Sequence, residues 1–546
     1  MINRYKDRSV NRAKAVIAIA ICIFLSLCSV PFLWDYSMSY QEKGNSLKLL
    51  ETASSKPQNF STYIGGSSDD MAYDMAADND GNLYIAGSTP SEDFPVTEGS
   101  FNETYGGNTD GYVCKLSADG SSLMWCTYIG GPMADLVLGI AVLDDGSVIV
   151  CGETRSGSFP TTDGAYGTTH SGGSDAFIAK LSADGSQLLF STLIGGSQDD
   201  VAEDVDIDST GVVGVAIETN SPDFPISAGA YNSTFGTNVD IAVVELSSNG
   251  QSLLYSSYFG AGDFDGVTEI EYSDNDEVII LGRTGSAMFP VTSGAYDETF
   301  DAGTYDGFLS KFNLDGSELS FSTFIGGSNL DFTYSFEIDS VGDIIIHGKT
   351  YSDDFPVSPS AYDTKLNGST DAFLFKLKND GTSMIASSLY GGNGAESGGS
   401  LSIDSQDRLF FTGITDSTDL NITDNAMQKN LLGTYDIFIS EFSSDLTDLV
   451  YGTYIGSSGT DTPYWSCIDD QGYFNVVGYS NAADFPTTDG AFNETHSGGR
   501  DVVVIKFPRY PVEDGGFPYW IIIVVVGVAS AAIISFLIIQ KRKNKK

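Results

Sequence analysis

The side chains able to do chemistry in this chain are carboxylates, and they recur. Asp70, Asp135, Asp200, Asp265, Asp331, Glu396 and Asp461 stand 65 or 66 residues apart. A second series runs Asp110, Asp175, Asp240, Asp306, Asp371, Asp436 and Asp501. A third, Asp78, Asp208, Asp339, Asp404 and Asp469, is interrupted by Leu143 and Ser273. A catalytic centre needs unlike residues meeting once; a residue repeated in every unit answers first to the fold. If the first series opens the innermost strand of a set of sheets, it rings the top mouth of a central channel. Neighbours ~10 Å apart at an effective dielectric of ~20 would repel by ~1.7 kcal/mol. Backbone N–H groups of the turn could offset that cost, or a hard cation such as calcium could, the one cofactor the chain suggests. The second series is expected to accept bonds from loop amides. In the third, Asp78-Asn79-Asp80-Gly81-Asn82 lacks the distal Glu of an EF-hand and reads as a turn.

The elements that position these residues are short strands. Phe60–Gly66 (FSTYIGG) has copies at Cys126–Gly131, Ser191–Gly196, Ser256–Ala261, Ser322–Gly327, Ser388–Gly392 and Gly452–Gly456. Each later copy closes a unit of four strands. In the first unit these are Asp70–Ala77, Asn82–Gly87, Gly111–Leu116 and Leu123–Ile129, joined by Asp-Gly turns and one long Phe-Pro loop. The middle strands are apolar on both faces, as sheets packed between two neighbours require. The first copy has no unit in front of it, and the last unit, ending near Phe507, has no such copy behind it. A ring explains both: Thr62–Ile64 pairs with Val502–Lys506. The fold expected is all-β, a seven-bladed β-propeller of four-stranded antiparallel blades over 58–508. A straight solenoid would leave the leading strand unexplained.

The pattern STYIGG…D…D…GN.YIAGST…DFP.T.GAY…G..DAF…KL…DG..L resembles the SBBP repeat, the seven-bladed propeller repeat of bacterial and archaeal surface and secreted proteins. The likeness is weakest in the sixth unit, and Glu245 and Glu441 stand where the pattern has Lys. The resemblance implies a fold and an extracellular setting, and no established activity.

The formal charge is −46, yet ten of the 27 Lys and Arg lie in 1–14 and 540–546. So acidic a middle argues against nucleic acid and suits cations or basic partners. The uncharged apolar runs 15–34 and 518–539 are long enough to cross a bilayer. Lys and Arg on their outer flanks place both termini in the cytoplasm and the middle outside. The first run reads as an uncleaved anchor, with a signal peptide as the alternative. Segments 35–57 and 509–517 are linkers. Asn59, Asn102, Asn232, Asn367, Asn421 and Asn493 each begin an Asn-x-Ser/Thr glycosylation acceptor. Cys114 and Cys126 flank an Asp-Gly turn and would face each other across a hairpin, as a disulfide or as two buried thiols.

No catalytic set is readable, so no enzyme is expected. His170, His347 and His496 are the chain's three histidines and do not group. Gly348-Lys349-Thr350 lacks the leading glycine of a phosphate loop. Specificity should lie where the repeat is broken: Pro132-Met133, Phe264, Phe332, Pro463-Tyr464-Trp465 and Leu420–Leu432. These observations lead to the expectation of a membrane-anchored extracellular propeller that binds a protein or glycan. A structural envelope component is the alternative, and an extracellular hydrolase or lyase the second.

Overall fold

The computed structural model describes residues 59–301 and 304–507. The apolar runs 15–34 and 518–539, with their linkers and tails, lie outside the described residues. Seven antiparallel sheets account for the strands, each sheet in sequential strand order. Blade 1 consists of strand A (Met71–Ala77), B (Leu83–Thr89), C (Asp110–Leu116) and D (Leu123–Ile129). Blade 7 takes its A, B and C from Asp461–Ile468, Phe474–Ser480 and Asp501–Phe507, and its D from Phe60–Ile64. The register of that pairing is Thr62 with Val504 and Ile64 with Val502, the ring closure that the orphan strand demands. Among the described residues there is no helix.

The core sits between blades rather than within one. Tyr84 and Val113 of blade 1 pack on Val137, Phe159 and Phe177 of blade 2. Ile85 and Cys114 of blade 1 share a cluster with Val477, Val502 and Val504 of blade 7. Middle strands are therefore buried on both faces, which is why their sequences do not alternate. The Phe-Pro residues plug each blade: Phe94 lies 3% exposed with its ring 4.4 Å from that of Tyr112. In the divergent sixth unit Leu420 fills the same role at 4% exposure.

Every complete strand A carries a bulge, as between Ala72 and Asp74. Opposite it stands Gly87, where a Cβ would lie 1.9 Å from the Met71 carbonyl; glycine is what this approach permits. The bulge turns additional side chains toward the ring axis. Blade 6 departs most. Its strand A is split into Glu396–Ser397 and Leu401–Ile403 by Gly398 and Gly399, both at positive φ (68° and 82°).

Candidate functional site

The seven carboxylates of the first series do not line the channel mouth. Each is fully buried at the start of strand A, 0% exposed. Asp200 accepts the Gly196 N–H at 2.7 Å and the Ser221 hydroxyl at 2.9 Å, and it also takes the Thr219 hydroxyl. Asp70 repeats the set with Gly66, Ser91 and Thr89. The expectation of a carboxylate ring open to the channel is thus corrected. The turn that ends one blade folds its own N–H onto the carboxylate, which ties strand D of that blade to strand A of the next. Burial pushes Asp70, Asp200, Asp265 and Asp331 up to about 6, against the pull of these donors. Among the described residues, no group of three or more His, Cys, Asp or Glu is arranged to hold a metal.

The second series behaves as loop anchors: Asp110 accepts the Gly106 N–H at 2.5 Å and Asp175 that of Ser171 at 2.9 Å. The third closes the A–B turn, Asp78 taking the N–H groups of Asp80 and Asn82. It has a second role that the sequence reading missed. The strand C lysine reaches it: Lys115 to Asp78 at 2.9 Å, Lys376 to Asp339 at 2.7 Å, Lys506 to Asp469 at 2.6 Å. Where Glu441 replaces that lysine, Arg408 supplies the cation to both Asp404 and Glu441.

The acceptor asparagines have a local reason to recur. Asn102, Asn232 and Asn493 each accept the N–H of the threonine two residues on, at 3.0, 2.9 and 2.9 Å. That is an Asx turn at one equivalent point of the long loop. Cys114 and Cys126 are directly opposite in register and joined by a disulfide, S–S 2.03 Å. The histidines stay apart. His347 is buried, with its ring nitrogens 3.1 and 3.2 Å from the Phe373 and Gly398 carbonyls. His170 lies 3.2 Å from the Thr154 carbonyl, and the ring of His496 packs on Tyr63.

The residues that do reach the axis stand three positions into strand A: Tyr73, Leu138, Glu203, Thr268, Tyr334, Gly399 and Tyr464. All seven line one cavity of about 440 Å³ at the top of the channel. Its wall also includes Glu218 and Arg283 from strand B, Asp204 from the bulge of blade 3, and Pro463 and Trp465. Asp204 is a lateral clamp, accepting the Val205 N–H at 2.7 Å and the Ile270 N–H of blade 4 at 2.9 Å. Asp74 and Glu269 bridge in the same way to Ile140 and Phe336. The inner edges of blades 2, 4 and 5 would otherwise show unpaired N–H groups to the channel, and these carboxylates satisfy them.

Glu203 and Glu218 do something else. Burial, then Glu218 and Glu153, hold the Glu203 carboxyl well above the usual range. Burial pushes Glu218 up to about 7, with Arg283 pulling it down. The Arg283 guanidinium is stacked between Phe264 and Phe332, at 5.3 and 5.5 Å from their ring centres. Across the ring, Tyr73 and Tyr464 meet edge to face at 5.6 Å. Of the repeat-breaking residues singled out from sequence, Pro463, Tyr464 and Trp465 line this cavity and Phe264 and Phe332 grip its arginine. Glu203, Glu218 and Arg283 were missed.

Residues 59–95 match the family model described as SBBP, a beta-propeller repeat. That match covers 37 of the 546 residues. Over 321 residues the chain is 23% identical to the regulatory protein FlaEY of Caulobacter vibrioides, a span of 55% of this chain. That span is 32% of the relative's own length, so the chain matches about a third of it. Among solved structures, an ulvan lyase of polysaccharide lyase family PL25 aligns at 10% identity and a TM-score of 0.43, covering 83% of this chain and 98% of that one. BamB from Moraxella catarrhalis aligns at 10% identity and a TM-score of 0.34, over 82% and 98%. At this identity none of them assigns a role to a residue of this chain.

Proposed function

We propose that the chain is a binding module displayed outside the cell, held by its two apolar runs, with the ligand entering the top mouth of the central cavity. One observation carries the reading. At positions where the repeat could place one residue seven times, the cavity wall has Tyr, Leu, Glu, Thr, Tyr, Gly and Tyr. The carboxylate that ties strand D of one blade to strand A of the next is kept in all seven units; the position that faces the cavity is not. A wall of single-use aromatic and charged groups is what recognition needs and what the fold does not. The setting is consistent with an outside location. Phe60 is paired with Lys506, so the chain enters and leaves the ring side by side, on the rim opposite the cavity mouth.

The protein or glycan ligand is to be found by arraying the purified chain over glycans and envelope proteins. A captured ligand should be lost in Tyr464→Ala. Retention by that variant would move the site elsewhere. A second reading, an extracellular hydrolase or lyase, is favoured by Glu218 alone, whose carboxyl near 7 in a cavity suits general acid–base chemistry. Turnover of a captured glycan, abolished by Glu218→Gln, would establish it.

A further inference from the structure

We infer that the cavity recognises an organic cation, an alkylammonium of the kind a lysine side chain carries, seated between the Glu203–Glu218 carboxylates and the aromatic wall opposite. The inference rests on the cavity being the binding site and names what it takes.

The charge balance of the wall comes first. Asp74, Glu203, Asp204 and Glu218 line the cavity, with Glu153 close enough to act on Glu203; Asp74 is spent on the Met75 and Ile140 N–H groups. The one cation in the wall is Arg283, and its guanidinium is stacked between Phe264 and Phe332. Asp204 is spent on the Val205 and Ile270 N–H groups. Glu218 receives the Val267 N–H. Among the described residues neither Glu203 nor Glu218 has a salt-bridge partner, while Lys115, Lys311, Lys376 and Lys506 on strand C at the far end of the blades are paired at 2.6–2.9 Å. The wall therefore sets several carboxylates against one guanidinium, and among the described residues no salt bridge joins Arg283 to Glu203 or Glu218.

The shape of the rest of the wall says which cation. In a seven-membered ring, blades 7 and 1 stand across from blades 3 and 4. They bring Tyr73, Tyr464 and Trp465, with Tyr334 from blade 5. Aromatic faces attract ammonium groups that have shed water, and Trp does so best. A hard divalent ion would instead want three or more convergent oxygen ligands. Among the described residues no group of three or more His, Cys, Asp or Glu is placed to supply them. A volume of about 440 Å³ admits a side chain of lysine length with room for part of its backbone. The chain's charge of −46 draws cations toward the mouth from a distance. The raised carboxyls of Glu203 and Glu218 fit an empty site: an entering cation would favour their ionised forms, so binding should release protons and strengthen as pH rises through about 7.

The test is titration calorimetry on the 546-residue chain in detergent at pH 8. The probes are Nα-acetyl-lysine methylamide, its Nε-acetyl counterpart, 1,5-diaminopentane and calcium chloride. The charged lysine probe should bind at least ~10-fold more tightly than the acetylated one, and Glu203→Gln/Glu218→Gln should lose ~10-fold or more. These glutamines keep the shape of the wall, so folding is spared. Binding of diaminopentane but not the blocked lysine would support the cation and name a free amine as its source. Equal affinity for the two lysine probes overturns the inference, as does an unchanged double variant, silence from every amine, or a calcium site that the double variant abolishes. A neutral ligand captured on an array and lost in Tyr464→Ala would leave the binding module standing without the cation; failure of both would remove the two together.

Discussion

Blade 3 has two carboxylates where blades 1, 4, 5 and 7 have an ion pair, and Glu245→Lys should stabilise the protein. In blades 1, 4, 5 and 7 the sixth residue of strand C is a lysine within 2.6–2.9 Å of a turn carboxylate. In blade 3 it is Glu245, whose carboxyl is raised by burial and by Asp208, against a bond from the Tyr272 hydroxyl at 3.2 Å. Lysine at 245 would replace a repulsion by an attraction. At ~4 Å and an effective dielectric of ~20 that attraction is ~4 kcal/mol gross. Fixing a lysine side chain costs up to ~2 kcal/mol, and the lost tyrosine bond ~1 kcal/mol. The net gain is therefore ~1–2 kcal/mol, including relief of the repulsion. Thermal unfolding at pH 8 should show Tm higher by ~1–3 °C, with the gain shrinking in 1 M salt. The reverse change in blade 5, Lys376→Glu, places two carboxylates together beside Asp339 and should cost ~3–5 kcal/mol. A lower Tm for Glu245→Lys, or a harmless Lys376→Glu, would refute the pairing argument.

Asp200→Ala leaves one N–H and two hydroxyls without their acceptor, and urea unfolding should show a loss of ~3–5 kcal/mol; less than ~1 would contradict the anchoring role. Asp70, Asp200, Asp265 and Asp331 sit at about 6, above the ~3.9 of an unfolded chain, so the folded state holds their protons longer. Their contribution is complete below pH ~4 and lost as pH rises through about 6. Calorimetric Tm should therefore fall from pH 4.5 to 7.5, and a rise would go against it. Tyr63→Ala removes a fully buried ring whose hydroxyl donates to the Ala482 carbonyl at 2.6 Å. It should cost ~3–5 kcal/mol and expose the 65–70 segment to limited proteolysis, with resistance equal to wild type as the opposing outcome.

The fold was legible because a ring repeats its solution. Seven chances to see the Asp70 position, the Phe-Pro plug and the Asp-Gly turn outweigh the drift of any one unit. The same repetition misleads about the site. A uniform carboxylate at the head of strand A looks like a ligand ring, yet uniformity marked the turn that buries it. The cavity residues share no local motif. Tyr73, Glu203 and Tyr464 lie in different blades, hundreds of residues apart, and become neighbours through closure alone. The signal available was negative: the column three residues into strand A has no consensus, whereas the carboxylate column that opens the strand does. Glu218 and Arg283 were hidden in strands whose other residues are apolar. The clamp of Asp74, Asp204 and Glu269 depends on the bulge, which shifts the facing of every later residue and which sequence spacing does not register.

The five-residue closing strand has a mechanical consequence. Phe60 and Lys506 are the outermost partners of an antiparallel pair, and the chain continues outward from both. A load drawing those two continuations apart acts at one end of the ladder, so the pairs part singly, from Phe60 toward Ile64, rather than shearing as a set. The seven-blade circle closes at this one five-pair ladder, so a load applied at Phe60 and Lys506 falls directly on it.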